Sequence, residues 1–255
     1  MERSILLGDG GQRPLHIDIP HAGRVYPADF RRRCSMASVV RTEDRFADLL
    51  YSPLKAVARR WLQAQYARSY VDVNRPRSMD GGVIRYKALN GERLQGTLDA
   101  AQFEYRMKCA YDPYHAALDL NSRLGVVEFG RFIHLNLHSF PTIDWHCHLP
   151  SMPFEIEVGD LGGESSPRNV GKLIVRSLIN EGFSVGYNET FHGAEIVRRV
   201  TKICGENADV IQIEVRRDLY LKDDVELDIG RMQKNGGSIV RGLMRALVMI
   251  DGRLL

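Results

Sequence analysis

Apolar and polar residues alternate in several short stretches of the chain, the pattern typical of β-strands. The first stretch is LHIDIPHAG, from Leu15 to Gly23, in which apolar residues alternate with His16 and Asp18. It ends at a proline, His21 and two small residues. The same pattern predicts further strands over Tyr70–Val73, Arg131–Pro141, Phe154–Asp160 and the segment ADVIQIEVRRDLYL.

Apolar residues at helical spacing predict helices between these strands. The predicted helices cover Ser38–Trp61 with a kink or break at Pro53, Leu98–Leu124, and the segments RNVGKLIVRSLINEG and GGSIVRGLMRALVMI. Strands that alternate with helices predict an α/β sandwich around a central sheet, and we expect residues 1–255 to form a single catalytic domain.

Four of the predicted strands end in polar residues. In α/β sheets, ligands bind at the carboxyl ends of the strands. We therefore expect a site at the residues that close these strands, which are His21, Asn74 with Arg75, His138 and Glu214.

Composition and charge exclude several classes of function. A net charge of +3 on 255 residues is too small to indicate nucleic-acid binding, and RRRC at residues 31–34 is typical of a solvated helix end. No stretch approaches the roughly 18–20 apolar residues of a membrane span, and the apolar core of MERSILLGDG is too short for a signal peptide. The four cysteines form no CxxC pair, which favours free thiols in a reducing cytoplasm.

Two strand-end histidines are candidate metal ligands. Two imidazoles and one carboxylate with an open position form a usual catalytic zinc site, and Glu43 or Asp44 can supply the carboxylate for His21 and His138. The spacing alone favours the other interpretation, in which both histidines only form hydrogen bonds at strand ends. His146 and His148 are either further ligands or part of a polar loop.

Glu214 and Arg75 are candidates for catalysis and substrate binding. Glu214 lies in an apolar strand, where its carboxylate is either a general base or the partner of Arg216 or Arg217 in a salt bridge. Arg75 stands before Pro76, where its guanidinium is either a clamp for a substrate carboxylate or a surface side chain.

Seven segments between Leu15 and Tyr220 together resemble the N-formylglutamate amidohydrolase family. In chain order they are PHAG, EDRFADLLY, VDVNRPR, LHSFP, EVGDLGGESSP, GYNETFHGAEI and IQIEVRRDLY. The resemblance implies a three-layer α/β/α sandwich with a mixed central sheet, the phosphorylase/hydrolase-like fold of zinc carboxypeptidases.

The resemblance also implies roles for individual residues. His21, His138 and Asp44 match the metal ligands, and Asp44 is preferred over Glu43 because Asp48 and Leu50 keep the family's spacing. Glu214 matches the catalytic carboxylate. The substrate-binding positions of the family match Asn74, Arg75, Asn188, Gly193 and Arg217.

By this resemblance, the protein is expected to be a cytoplasmic enzyme with one zinc ion, or another divalent metal, per chain. It would hydrolyse a small N-acyl amino acid, with N-formyl-L-glutamate as the leading candidate and formate and glutamate as products, as in histidine breakdown. Alternatives are an amidase for another N-acyl amino acid or a peptidoglycan fragment, and a non-catalytic ligand-binding relative. No oligomeric state is predicted.

Three positions depart from related patterns. Arg216 stands where the family usually has a neutral polar residue, and Asn136 stands where an aspartate often precedes the HS pair. The HxxE pattern of carboxypeptidases is absent, because Arg24 occupies the glutamate position.

Overall fold

The computed structural model describes residues 4–144, 149–150 and 152–251. Its strands are β1 (Ile5–Asp9), β2 (Arg13–Ile19), β3 (Ala58–Ala64), β4 (Phe132–Phe140), β5 (Ile143–Asp144), β6 (Leu149–Pro150), β7 (Ile156–Gly159), β8 (Val185–Tyr187), β9 (Ala208–Arg216), β10 (Leu221–Lys222) and β11 (Glu226–Leu227). Seven of them form the central sheet in the order β1-β3-β2-β4-β9-β7-β8. The sheet is mixed, because β1 runs antiparallel to β3 and β7 antiparallel to β9, while the other neighbours are parallel.

Helices cover both faces of this sheet. They are α1 (Met36–Val40), α2 (Ala47–Leu50), α3 (Ala100–Arg106), α4 (Asp112–Phe129), α5 (Val170–Asn180), α6 (Glu195–Cys204), α7 (Ile229–Arg231) and α8 (Gly237–Asp251). Helices α2, α5 and α8 share one apolar core with the sheet, and α3, α4 and α6 share a second core on the other face. The predicted three-layer α/β/α sandwich with a mixed sheet is therefore confirmed.

The two faces of the central strands differ in polarity. Leu135 and Leu137 of β4 point toward α5 and α8, whereas His134, Asn136 and His138 point to the opposite face. Alternation of this kind commonly marks a strand with one face in water. Here every residue of β4 is buried, so the polar face is enclosed by helices and has to satisfy its hydrogen bonds internally.

Two predicted elements are wrong. The segment Ser38–Trp61 is not one helix, because α1 and α2 are separated by a turn, a 3₁₀ turn follows at Ser52–Ala56, and Ala58 begins strand β3. Tyr70–Val73 forms no strand but a buried loop against the sheet. In both segments apolar residues are buried without a single regular element, which periodicity alone cannot reveal.

The other predicted strands and helices are confirmed. The helix expected over Leu98–Leu124 is α3 and α4, which are joined by a π-helical turn at Met107–Tyr111. Cys34, Cys109 and Cys204 are free thiols, whereas Cys147, His146 and His148 lie outside the described residues. Among the helices that the structure describes, none is long and apolar enough to span a bilayer.

Candidate active site

His21, Asp44 and His138 meet at the carboxyl ends of β2 and β4. One nitrogen of each histidine and one carboxylate oxygen all lie within 4.8 Å of one another, and all three side chains are buried. Both histidines line a cavity of about 400 Å³. This group could hold a metal ion.

Strand ends and one turn bring these three residues together. His21 follows β2 after Pro20, and its carbonyl accepts a hydrogen bond from the backbone N–H of Asp44 at 3.1 Å. The Asp44 carboxylate in turn accepts the backbone N–H of Ser139, at the end of β4, at 3.2 Å. The turn closes at Phe46, which has a left-handed φ of 59°. It interrupts the helix that the sequence predicts here.

Outer hydrogen bonds orient the two imidazole rings. His21 Nε2 lies 2.7 Å from Asp72 Oδ1, and His138 Nε2 lies 2.9 Å from Asn136 Oδ1. Their Nδ1 atoms therefore face Asp44 Oδ2, at 3.4 Å and 3.0 Å. Metal-binding histidines in proteins are held in the same way, by a partner on the nitrogen that does not bind the metal.

Asp44 is fully buried and surrounded by donors. Burial alone raises the pKa of a carboxyl group, but the close approach of His138 and His21, with the charge of Arg68, outweighs it and holds the pKa of Asp44 well below the usual value. Arg217 Nη2 lies 3.3 Å from Asp44 Oδ1. Its guanidinium also donates to the carbonyl of Arg41 and to Ser139 Oγ, so Arg217, although it lines the cavity, is held by protein atoms.

Glu43, the alternative carboxylate, points away from the two histidines. It accepts a hydrogen bond from the Tyr26 hydroxyl and pairs with Arg45 at 3.5 Å. Burial raises the pKa of Glu43 to about 7 against these interactions. Glu43 is therefore not part of the cluster.

Glu214 lines the same cavity, on the strand next to His138. The two residues are direct neighbours in the register of β4 and β9. Burial raises the pKa of Glu214 to about 7, with His138 acting in the opposite direction. Neither predicted arginine partner reaches it, because Arg216 pairs with Asp218 and Arg217 with Asp44.

The predicted strand at Tyr70–Val73 belongs to a loop that continues to Arg75, and helix side chains donate hydrogen bonds to the carbonyl groups of this loop. Arg106, Tyr111 and His115 donate to the carbonyls of Tyr70, Arg75 and Val73 respectively. In a regular α-helix, residues five apart point about 140° away from each other. The wider π-turn brings Arg106 and Tyr111 to one side, so both reach the loop.

This loop brings Asp72, Asn74 and Arg75 to the site. Asp72 holds His21, and Asn74 lies between His138 Nε2 at 3.1 Å and the backbone N–H of Ile196 at 3.0 Å. Sequence reasoning missed the role of Asp72, although an aspartate within the apolar run YVDV was a usable signal.

Five arginines line the cavity, at positions 68, 75, 85, 198 and 217. Arg68 pairs with Asp72 at 2.7 Å, and the closest acid to Arg85 is Asp72 at 3.7 Å. Among the described residues, no carboxylate lies within ion-pair distance of Arg75. The nearby charge of Arg68, with burial, lowers the pKa of Arg85 to about 10. The cavity thus carries positive charge that the described acids do not balance.

The two remaining predicted substrate-binding residues, Gly193 and Asn188, differ in where they lie relative to the cavity. Gly193 lines the cavity with a φ of 121°, a conformation that favours glycine. Asn188 is not among the residues that line it. Its side chain accepts from the backbone N–H groups of Asp160 and Gly162 and donates to the Asp160 carboxylate, so it braces a neighbouring turn.

Glu157, which sequence reasoning did not single out, holds the cavity loop. Its buried Oε1 accepts the backbone N–H groups of Glu189, Thr190 and Phe191 at 2.8, 2.5 and 2.8 Å. We expect Glu157→Gln to lower the free energy of unfolding by about 1.5–3 kcal/mol, because hydrogen bonds to a charged acceptor become weaker. Urea unfolding measures this loss.

Glu155 provides a matched control for Glu157. It also accepts a backbone N–H, that of Ser184 at 2.9 Å, but its side chain is 29% exposed. Glu155→Gln should therefore cost less than about 1 kcal/mol. Equal losses in the two variants would contradict the role given to Glu157.

Comparison with known proteins identifies a family and solved structures that this chain resembles. The family model for N-formylglutamate amidohydrolase matches residues 13–221. The crystal structure of N-formylglutamate amidohydrolase from Ralstonia eutropha JMP134 is 26% identical, with a TM-score of 0.83 over 98% of this chain and 100% of that chain. The gene product Atu2144 from Agrobacterium tumefaciens shares the fold at 14% identity, with a TM-score of 0.72 over 98% of this chain and 97% of that chain.

No curated protein sequence is similar enough to count as a match. The family model nevertheless covers most of the chain, including both candidate histidines and Glu214. The protein is thus a hydrolase that acts on an amide bond. The chain belongs to the N-formylglutamate amidohydrolase family.

Proposed function

We propose that this protein is a zinc-dependent amidohydrolase that cleaves N-formyl-L-glutamate to formate and L-glutamate. One observation carries the proposal: the His21–Asp44–His138 cluster and Glu214 share a cavity lined by arginines. The cluster suits a metal, Glu214 suits proton transfer, and the arginines suit an anionic substrate.

The donor set suits zinc. Two imidazole nitrogens and one carboxylate oxygen, with a position left open, are typical ligands of a catalytic zinc ion. The buried Nδ1 of His21 has no hydrogen-bond partner among the described residues, which suits a nitrogen that binds a metal. We expect one zinc per chain, held by His21, Asp44 and His138, although another divalent metal can use the same donors. When bound, zinc supplies a Lewis acid that polarises the formyl carbonyl and makes water more acidic.

Glu214 acts as the general base in this proposal. Its carboxylate accepts a proton from the attacking water and returns it to the nitrogen of the leaving amine as the amide C–N bond breaks. A pKa near 7 suits both steps at neutral pH. The Asp44 carboxylate is held by both histidines and Arg217, so it keeps its charge and does not compete for this proton.

Arg75 holds a substrate carboxylate in this proposal. A guanidinium binds a carboxylate through two parallel, charge-assisted hydrogen bonds. Arg75 lines the cavity without an acidic partner among the described residues, and Asn74 beside it adds an amide. N-formyl-L-glutamate carries two carboxylates, which would offset the excess positive charge of the cavity. Arg217 is instead proposed to keep Asp44 in position.

We expect the zinc-loaded protein to release formate from N-formyl-L-glutamate and to prefer it over the analogue in which a carboxamide replaces the α-carboxylate. Arg75→Ala should lose most of this preference and about 10- to 150-fold in kcat/KM, because a charge-assisted contact contributes roughly 1.5–3 kcal/mol. Arg75→Lys keeps the charge without the planar fork, so it should recover only part of the loss. A formate assay measures each value.

Arg77 is the matched control for Arg75. It lies two residues further along, but it is exposed and pairs with Glu104 and Asp112 outside the cavity. Arg77→Ala should therefore keep the substrate preference. N-acetyl-L-glutamate and a muramyl peptide test the alternative substrates, and faster hydrolysis of either would replace N-formyl-L-glutamate as the substrate. If Arg75→Ala and the parent discriminate equally, the clamp lies elsewhere.

A further inference from the structure

A carboxylate lies buried beneath the cluster, away from the cavity. Asp18 of β2 is fully buried and accepts hydrogen bonds from the Tyr114 hydroxyl at 2.7 Å, His134 Nε2 at 2.6 Å and Asn136 Nδ2 at 2.9 Å. Among the described residues, no arginine or lysine pairs with it. His134 is the one described partner that carries a positive charge, and only when it is protonated, so burial of this carboxylate is costly. The burial of the Asp18 carboxylate at this position therefore indicates a functional role.

Asp18 determines which way the Asn136 side chain faces. A carboxylate can only accept hydrogen bonds, so the amide of Asn136 must turn its NH₂ group toward Asp18. The amide oxygen then faces the other way, 2.9 Å from His138 Nε2. The Asn136 oxygen thus faces His138 because the Asp18 carboxylate holds the Asn136 NH₂ group on the other side.

A second amide, that of Asn74, also contacts His138 Nε2, but it presents a donor there where Asn136 presents an acceptor. Asn74 Oδ1 accepts the backbone N–H of Ile196, so Asn74 turns its Nδ2 toward His138 Nε2, at 3.1 Å. A donor there favours a ring whose proton is on Nδ1, the nitrogen that faces Asp44. If Asn136 could also turn its NH₂ group to Nε2, both neighbours would favour that tautomer. Only the Asn136 oxygen favours a proton on Nε2 and a free lone pair on Nδ1.

We propose that Asp18 is a positioning residue for His138, acting through Asn136 to keep the proton of the imidazole on Nε2 and the lone pair of Nδ1 directed at the metal. This inference rests on the proposed function, since it assumes that His138 binds the metal. It also accounts for the asparagine at position 136. The Asp18 carboxylate lies on the neighbouring strand, directly opposite Asn136 in the register of β2 and β4.

Asp18→Asn tests this proposal through metal affinity. An asparagine at position 18 can present either end of its amide, so Asn136 is free to turn. Loss of such an outer partner typically costs 10- to 100-fold in metal affinity. We expect a loss of about this size for zinc, measured by competition with a chelator at fixed pH. Asp209→Asn is the control, because Asp209 is an equally buried aspartate that bonds to Ser166 and Arg168 and has no contact with His138.

Exchanging the two side chains separates positioning from a merely structural role. In Asp18→Asn/Asn136→Asp the carboxylate contacts His138 Nε2 directly, and the new asparagine donates to it. We expect this double variant to recover most of the zinc affinity that Asp18→Asn loses. Affinity as weak as that of the single variant, or Asp18→Asn as tight as the parent, would overturn the proposal.

The unmodified protein provides a test that needs no variant to fold. In the zinc-loaded parent, NMR of labelled histidine should show a hydrogen-bonded proton on Nε2 of His138. A His138 ring without a proton on Nε2 would overturn the role of Asp18. A parent that binds no zinc would refute the proposed function, and the inference with it. Equal zinc affinity in the parent and Asp18→Asn would refute the inference alone.

Discussion

Replacing Glu214 with glutamine is expected to lower kcat by about 100- to 10,000-fold, the range that general-base catalysis contributes. The amide has nearly the same shape as the carboxylate but cannot accept a proton from water. The local structure should tolerate the change, because Gln212 Nε2 donates to Glu214 Oε1 at 3.0 Å and an amide oxygen can accept the same bond. Steady-state assays of formate release measure the loss.

The metal content of this variant serves as its control. Glu214 is not a member of the cluster of possible ligands, so Glu214→Gln should keep the zinc stoichiometry of the parent. If the variant lost its metal as well as its activity, Glu214 would be identified as a metal ligand. Activity within a few-fold of the parent would exclude Glu214 as the base.

Asp44→Asn is expected to abolish stoichiometric metal binding. Asp44 Oδ2 lies between the Nδ1 atoms of His138 and His21, at 3.0 Å and 3.4 Å, and a neutral amide is a much weaker ligand than a carboxylate. Metal affinity should fall by more than the roughly 10- to 100-fold that loss of an outer partner costs. Elemental analysis after dialysis measures the metal. The thermal stability of the variant should be measured as well, because the substitution leaves Arg217 buried beside a neutral group.

Glu43→Gln is the matched control for Asp44→Asn. Glu43 is the adjacent residue, a carboxylic acid as fully buried as Asp44, but its partners are Tyr26 and Arg45. The variant should therefore keep its metal. If Glu43→Gln lost the metal and Asp44→Asn kept it, the assignment of the carboxylate ligand would be reversed.

Local pattern was sufficient to predict most strands and the edge of the sheet at which the site lies. Alternation in LHIDIPHAG and RFIHLNLHSFP places apolar residues on one face and polar residues on the other, whatever the strand packs against. The rule that ligands bind at strand ends then pointed to His21, His138 and Glu214, all of which lie at the cavity. Strand periodicity is a property of neighbouring residues, which is why one sequence can reveal it.

The two wrong elements failed because local pattern does not report what a segment packs against. The run Tyr70–Val73 alternates as a strand does, yet it belongs to a loop, continuing to Arg75, whose carbonyls accept hydrogen bonds from side chains of α3, α4 and the π-turn. The helix predicted from Ser38 is interrupted where Asp44 bonds to the His21 carbonyl. In both places, hydrogen bonds to distant residues replace the regular backbone pattern.

The sequence by itself therefore determined the class of fold, the polar strand ends and, through the resemblance of its motifs, the family. Only the tertiary structure decided the partners: Asp72 on His21, Arg217 on Asp44, Asp18 behind Asn136, and Asn188 outside the cavity. These contacts join residues that are far apart in the chain. Their strength depends on distance, burial and the direction in which each donor points, and none of these quantities exists until the sheet has formed and the helices have closed over its polar face.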